Sequence, residues 1–405
     1  MKILFLHNYY RYRGGEDLSF ESEVAMLRKS RHEVVTMTRH NDQRTGISGA
    51  IGMARDSFYN SAARREVATM IAEHRPDVMH CNNLFPQFSP SVYGAAREQG
   101  VAVVQALRNY RAFCVNSLFY RDGKVCTECL GRSIAIPGVL HKCYRNSHFA
   151  SAMVATMQRA HKAMNARDTA VDLFFTPSEF ARQIYIRGGF DPDRIVVKPN
   201  FVENDHGPGD GLGDDQGEYA LFIGRLSAEK GLHVLLAAWE RLNKQSHPTE
   251  SWKCPRLKIV GDGPLAEEVR LMTKRIPNIE SLGQKSHHEI LELLGGAKFL
   301  VMPSVWYETF GRTIIEAFSR GTPAVVSSTG SMAELVRDGQ TGMTFITGDD
   351  EDLSLKIREL MSYPPDRLRD MRLKAHEEYL ARYTSQANEP KLMQIYETAI
   401  ARGRR

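Results

Sequence analysis

Short apolar runs, the longest of four to six residues, recur down the chain and alternate with amphipathic stretches. Residues 3–6, 101–104, 173–175, 195–197, 219–223, 257–260, 299–302 and 324–326 are of this kind. Many sit beside Gly, Pro or Asn, as strands entering turns should. Strands alternating with helices imply parallel sheets covered by helices on both faces. At 405 residues the chain exceeds one ordinary core, so two domains are expected. No run approaches the roughly 20 apolar residues that span a bilayer. The opening Met1-Lys2-Ile3-Leu4-Phe5-Leu6-His7 has four apolar residues at its centre and no small-residue cleavage site; it reads as a first strand, not a signal peptide.

Residues 204–217 break the rhythm with five glycines, four aspartates and hardly an apolar residue, the composition of a linker. The expected architecture is α/β: two doubly wound Rossmann-like domains, residues 1–203 and 218–383, facing across a cleft. A C-terminal helix within 384–405 is expected to pack back on the first domain. Residues 1–203 carry 27 Lys and Arg against 19 Asp and Glu, a net +8, while residues 204–405 carry 26 against 29, a net −3. A basic first half suits a plain solvated surface, or an anionic partner such as lipid headgroups, a pyrophosphate-bearing substrate or nucleic acid. Six cysteines without an export signal argue for a reducing compartment over a disulfide framework.

Three stretches of the second half can be read as one diphosphate site. After the run 219–223, Gly224-Arg225-Leu226-Ser227-Ala228-Glu229-Lys230-Gly231 puts two cations at the carboxyl end of a strand, where open α/β sheets bind ligands. Arg225 and Lys230 there suit a diphosphate. Gly261-Asp262-Gly263-Pro264 ends another strand; its glycines either let a ligand approach the backbone or serve a plain tight turn. From Pro303 to Phe318, a strand end leads into a loop with Glu308, Phe310 and Gly311 and then a helix from about Arg312. The free N–H groups of that helix start form a phosphate cradle. Glu308 can accept from sugar hydroxyls and Glu316 from a ribose, although two glutamates near a helix start are also ordinary dipole partners.

Gly-Arg-Leu-x-x-Glu-Lys-Gly, Val-Gly-Asp-Gly-Pro, Pro-Ser-x(3)-Glu-x-Phe-Gly-x(4)-Glu-Ala-x(3)-Gly-x-Pro-x-Val and Glu-Leu-Val-x-Asp-Gly-x-Thr-Gly follow in that order over nearly all of residues 219–345. The set resembles retaining glycosyltransferases of the GT-B fold, in glycosyltransferase family four. The resemblance implies that Arg225 and Lys230 hold the donor diphosphate, Glu308 contacts the donor sugar, Glu316 binds the ribose, and Phe310 and Gly311 offer backbone contacts. It implies retention by front-face attack, with the leaving phosphate taking the acceptor proton. The cations and the helix start would replace the metal of other glycosyltransferases, so no catalytic cofactor is expected.

In the first half, Gly14-Gly15 follows the first strand; similar loops in the family face the donor phosphates and the acceptor, and a Gly-Gly turn without function is the alternative. His80 resembles a strand-end histidine near the cleft, or is structural. Arg108-Asn109-Tyr110 stands where many relatives have a histidine that lines the acceptor site, which implies either an anionic acceptor or a backbone carbonyl in that histidine's role. Cys114, Cys126, Cys129 and Cys143, with a C-x-x-C core, fit a structural zinc site, with His141 a substitute ligand; a redox pair or buried thiols are the alternatives. A subset of relatives carries a similar cluster. The stretch from His148 to Asn165, with Met153, Met157 and Met164 beside Arg159, His161 and Lys162, is either core, an acceptor channel or a membrane contact. The expectation is a cytoplasmic hexosyltransferase or related enzyme, peripheral at the inner membrane face, taking a nucleoside-diphosphate sugar and a saccharide or lipid-linked acceptor in surface or exopolysaccharide assembly. No nucleic-acid partner is expected. An epimerase or phosphorylase-like enzyme of the same fold, and a zinc-dependent nucleic-acid-binding protein, are the rival readings.

Overall fold

The computed structural model describes residues 1–11, 13–41, 52, 55–164, 169–203, 207–214, 218–245, 253–276 and 278–403. The chain forms two compact units, the first of Met1–Phe119, Thr127–Asn200 and Ser385–Arg405, the second of Tyr120–Cys126 and Phe201–Thr384.

In the first unit, β1 (Lys2–Tyr9), β2 (Glu33–His40), β3 (Val78–Cys81) and β4 (Ala102–Ala106) precede a short antiparallel hairpin, β5 (Tyr120–Arg121) and β6 (Lys124–Val125), which groups with the second unit. β7 (Leu173–Thr176) and β8 (Ile195–Val197) complete a parallel sheet of order β2-β1-β3-β4-β7-β8. The chain leaves β1 for one edge and returns on the other side at β3, so the order reverses between β1 and β3. The C-terminal helix Ser385–Gly403 lies on β4, β3 and β7.

The second unit holds β9 (Tyr219–Ile223), β10 (Arg256–Val260), β11 (Ile279–Gly283), β12 (Phe299–Met302), β13 (Ala324–Ser327) and β14 (Gly342–Phe345), all parallel in the order β11-β10-β9-β12-β13-β14. Its reversal falls between β9 and β12. Alternation along each central strand divides the core in two. Ala220, Phe222, Phe299 and Val301 enter one apolar cluster with Trp239 and with Leu353 and Ile357 of the helix Asp350–Met361. Tyr219, Leu221, Ile223, Leu300 and Met302 enter the other, against Ile314, Ile315 and Phe318.

Residues 207–214, expected as linker, are fastened to this unit. The N–H groups of Gly209, Gly211 and Gly213 donate to the carbonyls of Arg320, Gly295 and Gly296 at 2.8, 3.0 and 2.9 Å. Asp214 pairs with Arg256 and Lys258. The glycines are there for close approach: a Cβ on Gly209 would lie 2.2 Å from the Gly295 carbonyl oxygen. The rest of that stretch, 204–206 and 215–217, lies outside the described residues.

Candidate functional site

A strand-order reversal leaves a crevice at the carboxyl ends of its two strands. In the second unit these are the ends of β9 and β12. β9 runs into Gly224 and Arg225, then into a single tight turn, Ala228–Lys230. Gly231 closes the turn at φ 71°, and a Cβ there would fall 1.8 Å from the Pro303 carbonyl oxygen, so only glycine lets the turn sit against the end of β12. The Val305 N–H donates to the Glu229 carbonyl at 2.9 Å and stitches the two loops together.

This brings Lys230 Nζ onto Glu308 Oε1, with Ser304 Oγ donating to the same oxygen at 3.1 Å. Ser331 holds the Glu308 carbonyl through its hydroxyl at 3.0 Å. The pair remains partly open, with side chains 20% and 11% exposed. Lys230 Nζ also lies 5.3 Å from the Trp306 ring centroid, and Trp306 Nε1 is buried with no hydrogen-bond partner among the described residues. Ser304, Trp306 and Ser331 were not singled out from sequence; the places of Ser304 and Trp306 between Pro303 and Glu308 hint at them, and nothing local hints at Ser331.

The helix Arg312–Ser319 starts at Gly311 with no side-chain cap, leaving its first N–H groups without one. A Cβ on Gly311 would meet the Ile314 side chain at 2.7 Å. Phe310 is buried, its ring 6.1 Å from Tyr383, so its side chain serves the core. Glu316 is buried and accepts from Arg312 Nε at 3.2 Å, with His287 Nδ1 4.0 Å away. Arg225 is exposed and has no ion pair among the described residues.

Gly261 and Gly263 are packed against the chain's own backbone. Their φ values are 140° and 158°, and added Cβ atoms would lie 1.9 Å from the Gly224 oxygen and 2.5 Å from the Leu226 oxygen. The backbone that comes close to them is the chain's own. Beyond them a hollow of about 830 Å³ is lined by Leu226, Gly261, Asp262, Arg270, Leu282 and Gly283, among others.

In the first unit, Gly14 precedes the helix Gly15–Lys29, and Cβ atoms on Gly14 or Gly15 would meet nothing within 4 Å. Asp17 fixes the loop: Oδ2 accepts from the Gly14 N–H at 3.0 Å, and Oδ1 lies 2.8 Å from His7 Nε2. Glu16 Oε2 accepts from Tyr10 Oη at 2.7 Å and Asn109 Nδ2 at 3.1 Å.

Arg108 and His80 are buried, and their side chains are engaged by partners inside the fold. Arg108 Nη2 donates to Glu23 Oε1 at 2.6 Å, its Nε to Asn200 Oδ1 at 3.3 Å, and its Nη1 to Asn82 Oδ1. Lys198 Nζ donates to the same Glu23 oxygen. Burial opposes the Glu23 charge, but Arg108 and Lys198 overcome it and hold the carboxyl at about 2. Burial keeps His80 neutral, its pKa lowered to about 3; its Nδ1 lies 2.7 Å from Tyr396 Oη. Two cations, Arg108 and Lys198, thus share the single Glu23 carboxylate inside the fold.

The zinc expectation is not supported. Among the described residues no three His, Cys, Asp or Glu side chains converge on a point that could hold a metal. Cys114 Sγ, its pKa raised by burial, donates to Asn116 Oδ1 at 2.9 Å. Cys129 joins Val115, Ala135, Val154 and Met157 in an apolar cluster on which Cys143 packs. His141 lies 3.5 Å from Glu128.

Residues 14–200 match the family described as "Glycosyl transferase 4-like domain", and residues 210–378 match "Glycosyl transferases group 1". The chain belongs to the GT-B glycosyltransferases of the family-four type. It is 35% identical over 148 residues to a glycogen synthase of Mycobacterium tuberculosis, 36% of this chain and 34% of that enzyme's length. It is 23% identical over 372 residues to the sulfoquinovosyl transferase of Arabidopsis thaliana, 87% of this chain and 64% of the plant enzyme. The chain therefore spans about a third to two thirds of the length of these relatives. In three dimensions it is similar to HepE of Anabaena, solved with UDP and glucose: TM-score 0.66, 17% identity, covering 98% of this chain and 99% of that one. Among the described residues no helix is long and apolar enough to cross a membrane.

Proposed function

We propose that this protein moves a hexose or related sugar from a nucleoside-diphosphate sugar to an acceptor hydroxyl, with retention of anomeric configuration. The observation that carries the reading is the meeting of Lys230 and Glu308 at the strand-order reversal of the second unit, close in sequence to an uncapped helix start. Arg225 and Lys230 would receive the diphosphate, Glu308 the sugar hydroxyls and Glu316 the ribose. As the glycosidic bond to the leaving phosphate breaks, negative charge grows on the diphosphate; the two cations and the helix N–H groups stabilise it where it develops. The leaving phosphate oxygen would take the acceptor proton, so no side chain need act as a covalent nucleophile. Gly14 and Gly15, which leave open space at a helix start, would admit phosphate or acceptor.

A uridine nucleotide is the first donor to try, because HepE was solved with UDP and with UDP-glucose. The acceptor is proposed to be a saccharide or lipid-linked saccharide of a surface or exopolysaccharide, and the compartment the cytoplasm. A thermal-shift panel of UDP, GDP, ADP and their sugars tests the donor site. One nucleotide should raise Tm, and Glu316→Ala should lose most of that rise. If no nucleotide stabilises the native chain, the donor-site assignment is wrong.

A further inference from the structure

Four large apolar side chains of the first unit, Ile134, Ile136, Leu140 and Phe149, are 43, 55, 65 and 76% exposed. Single exposed apolar residues are ordinary, but a cluster of them marks a contact surface. The helix Ile136–Leu140 turns Gly138 inward, where an added Cβ would strike Val115 at 2.5 Å. Ile136 and Leu140, four residues apart, therefore share the outward side. His148 Nδ1 lies 2.9 Å from the Val139 carbonyl oxygen and sets the start of the helix His148–Ala163, with Phe149, against the end of the first helix. Behind Phe149 is a mostly apolar hollow of about 260 Å³, lined by Phe85, Pro86, Tyr144, Met153 and Met157 among others.

The charge of this region is mostly of one sign, Glu128, 3.5 Å from His141, being the carboxylate at its margin. Residues 129–164 contain Arg132, Lys142, Arg145, Arg159 and Lys162, all exposed, and no Asp or Glu. Lys142 and Arg145 sit at φ 51° and 54°, a left-handed conformation that non-glycine residues keep only where their surroundings impose it.

We propose that this face docks the protein on an anionic lipid bilayer, with Ile136, Leu140 and Phe149 entering the acyl boundary and Arg132, Lys142 and Arg145 meeting lipid phosphates. Charge complementarity favours lipid over a second copy of the chain, since a two-fold contact would press the same cations against each other. The proposal goes beyond sugar transfer and does not depend on it.

The test uses the full chain and sedimentation with vesicles of phosphatidylcholine alone or of equal parts phosphatidylcholine and phosphatidylglycerol. Binding to the anionic vesicles should be at least about tenfold tighter than to the neutral ones and should weaken in high salt. The variant Leu140→Ser/Phe149→Ser should lose vesicle binding, and Lys142→Glu/Arg145→Glu should lose the preference for anionic lipid. All should keep the native Tm and the nucleotide-induced rise in Tm, which separates failure of docking from failure of the donor site. No binding to anionic vesicles, or unchanged binding by the Ser variant, overturns the proposal. So does a dimer in sedimentation velocity that the Ser variant dissolves, because the face would then be covered by a second copy.

Discussion

Each sheet reverses its strand order once, between β1 and β3 in the first unit and between β9 and β12 in the second, and the two reversals are furnished in opposite ways. In the first, Asn8 and Asn83 lace the strand ends together, backbone N–H to carbonyl at 2.8 Å and amide to carbonyl at 2.7 Å. The charges nearby, Glu23, Arg108 and Lys198, have side chains at most 3% exposed, two cations on one carboxylate. In the second, Lys230 and Glu308 remain partly wet and Arg225 is exposed. The same residue types therefore do different work. A buried charge has already lost its water and depends on its internal partner. A pair that still touches water, as Lys230 and Glu308 do at 20 and 11% side-chain exposure, can exchange that partner for a ligand at smaller cost.

The largest expected effect comes from removing the acid of the buried cluster. Glu23→Gln leaves two buried cations facing a neutral amide, and breaking such a cluster costs about 3–5 kcal/mol. Urea denaturation followed by a probe in the first unit should show that loss. A change under about 1 kcal/mol would mean the cluster is hydrated and the contrast between the reversals is false.

Next in size is a pH effect confined to the first unit. The Glu23 carboxyl is held at about 2, below its ordinary 4.5, so its stabilisation is complete above pH 4.5 and is lost as the pH falls toward 2. His80 is lowered from 6.5 to about 3, so the unfolded chain takes up that proton first and stability begins to fall below pH 6.5. Thermal melts should show Tm declining from pH 6.5 to 4.5 in the native chain. His80→Asn should flatten the decline over that interval; an unchanged slope assigns it to other groups.

The contrast also explains what could be read from sequence. All eight of the apolar runs fall on strands; seven of these strands are central, where burial on both faces favours apolar residues, and the eighth, β8, is an edge strand that is apolar all the same. The edge strand β2, Glu33-Val34-Val35-Thr36-Met37-Thr38-Arg39-His40, and β11, with Glu280 and Ser281 exposed, did not stand out, since an edge tolerates polar residues. Of the candidates at the open site, Lys230 and Glu308, which the fold brings into contact, lie in contiguous motifs beside strand ends. The closed site was not legible in this way. Its members Glu23, His80, Arg108, Lys198 and Tyr396 come from five separate segments, and nothing in their local sequence says that they meet. The glycines divide in the same way: Gly261 and Gly263 answer to packing that only the fold reveals, while Gly14 and Gly15 face open space. C-x-x-C spacing reports local reach, not where Cys114 and Cys143 are brought, and among the described residues no group of three ligands forms.

The smallest expected effect on stability is at the open pair. Lys230→Met removes the cation while Ser304 still donates to Glu308, so the carboxylate keeps a partner and part of its water. The loss should be about 0–1 kcal/mol, as for a partly exposed ion pair. The nucleotide-induced rise in Tm, by contrast, should largely vanish, because the diphosphate would lose the cation that shares its crevice. Chemical denaturation and the nucleotide titration, done on the same variant, give the two readouts. A loss of about 3 kcal/mol or more, the order of magnitude for buried pairs, would place Lys230 with the closed cluster. A small loss with the nucleotide shift intact would instead leave Lys230 a surface pair and move the phosphate contact to Arg225 and the helix start at Gly311.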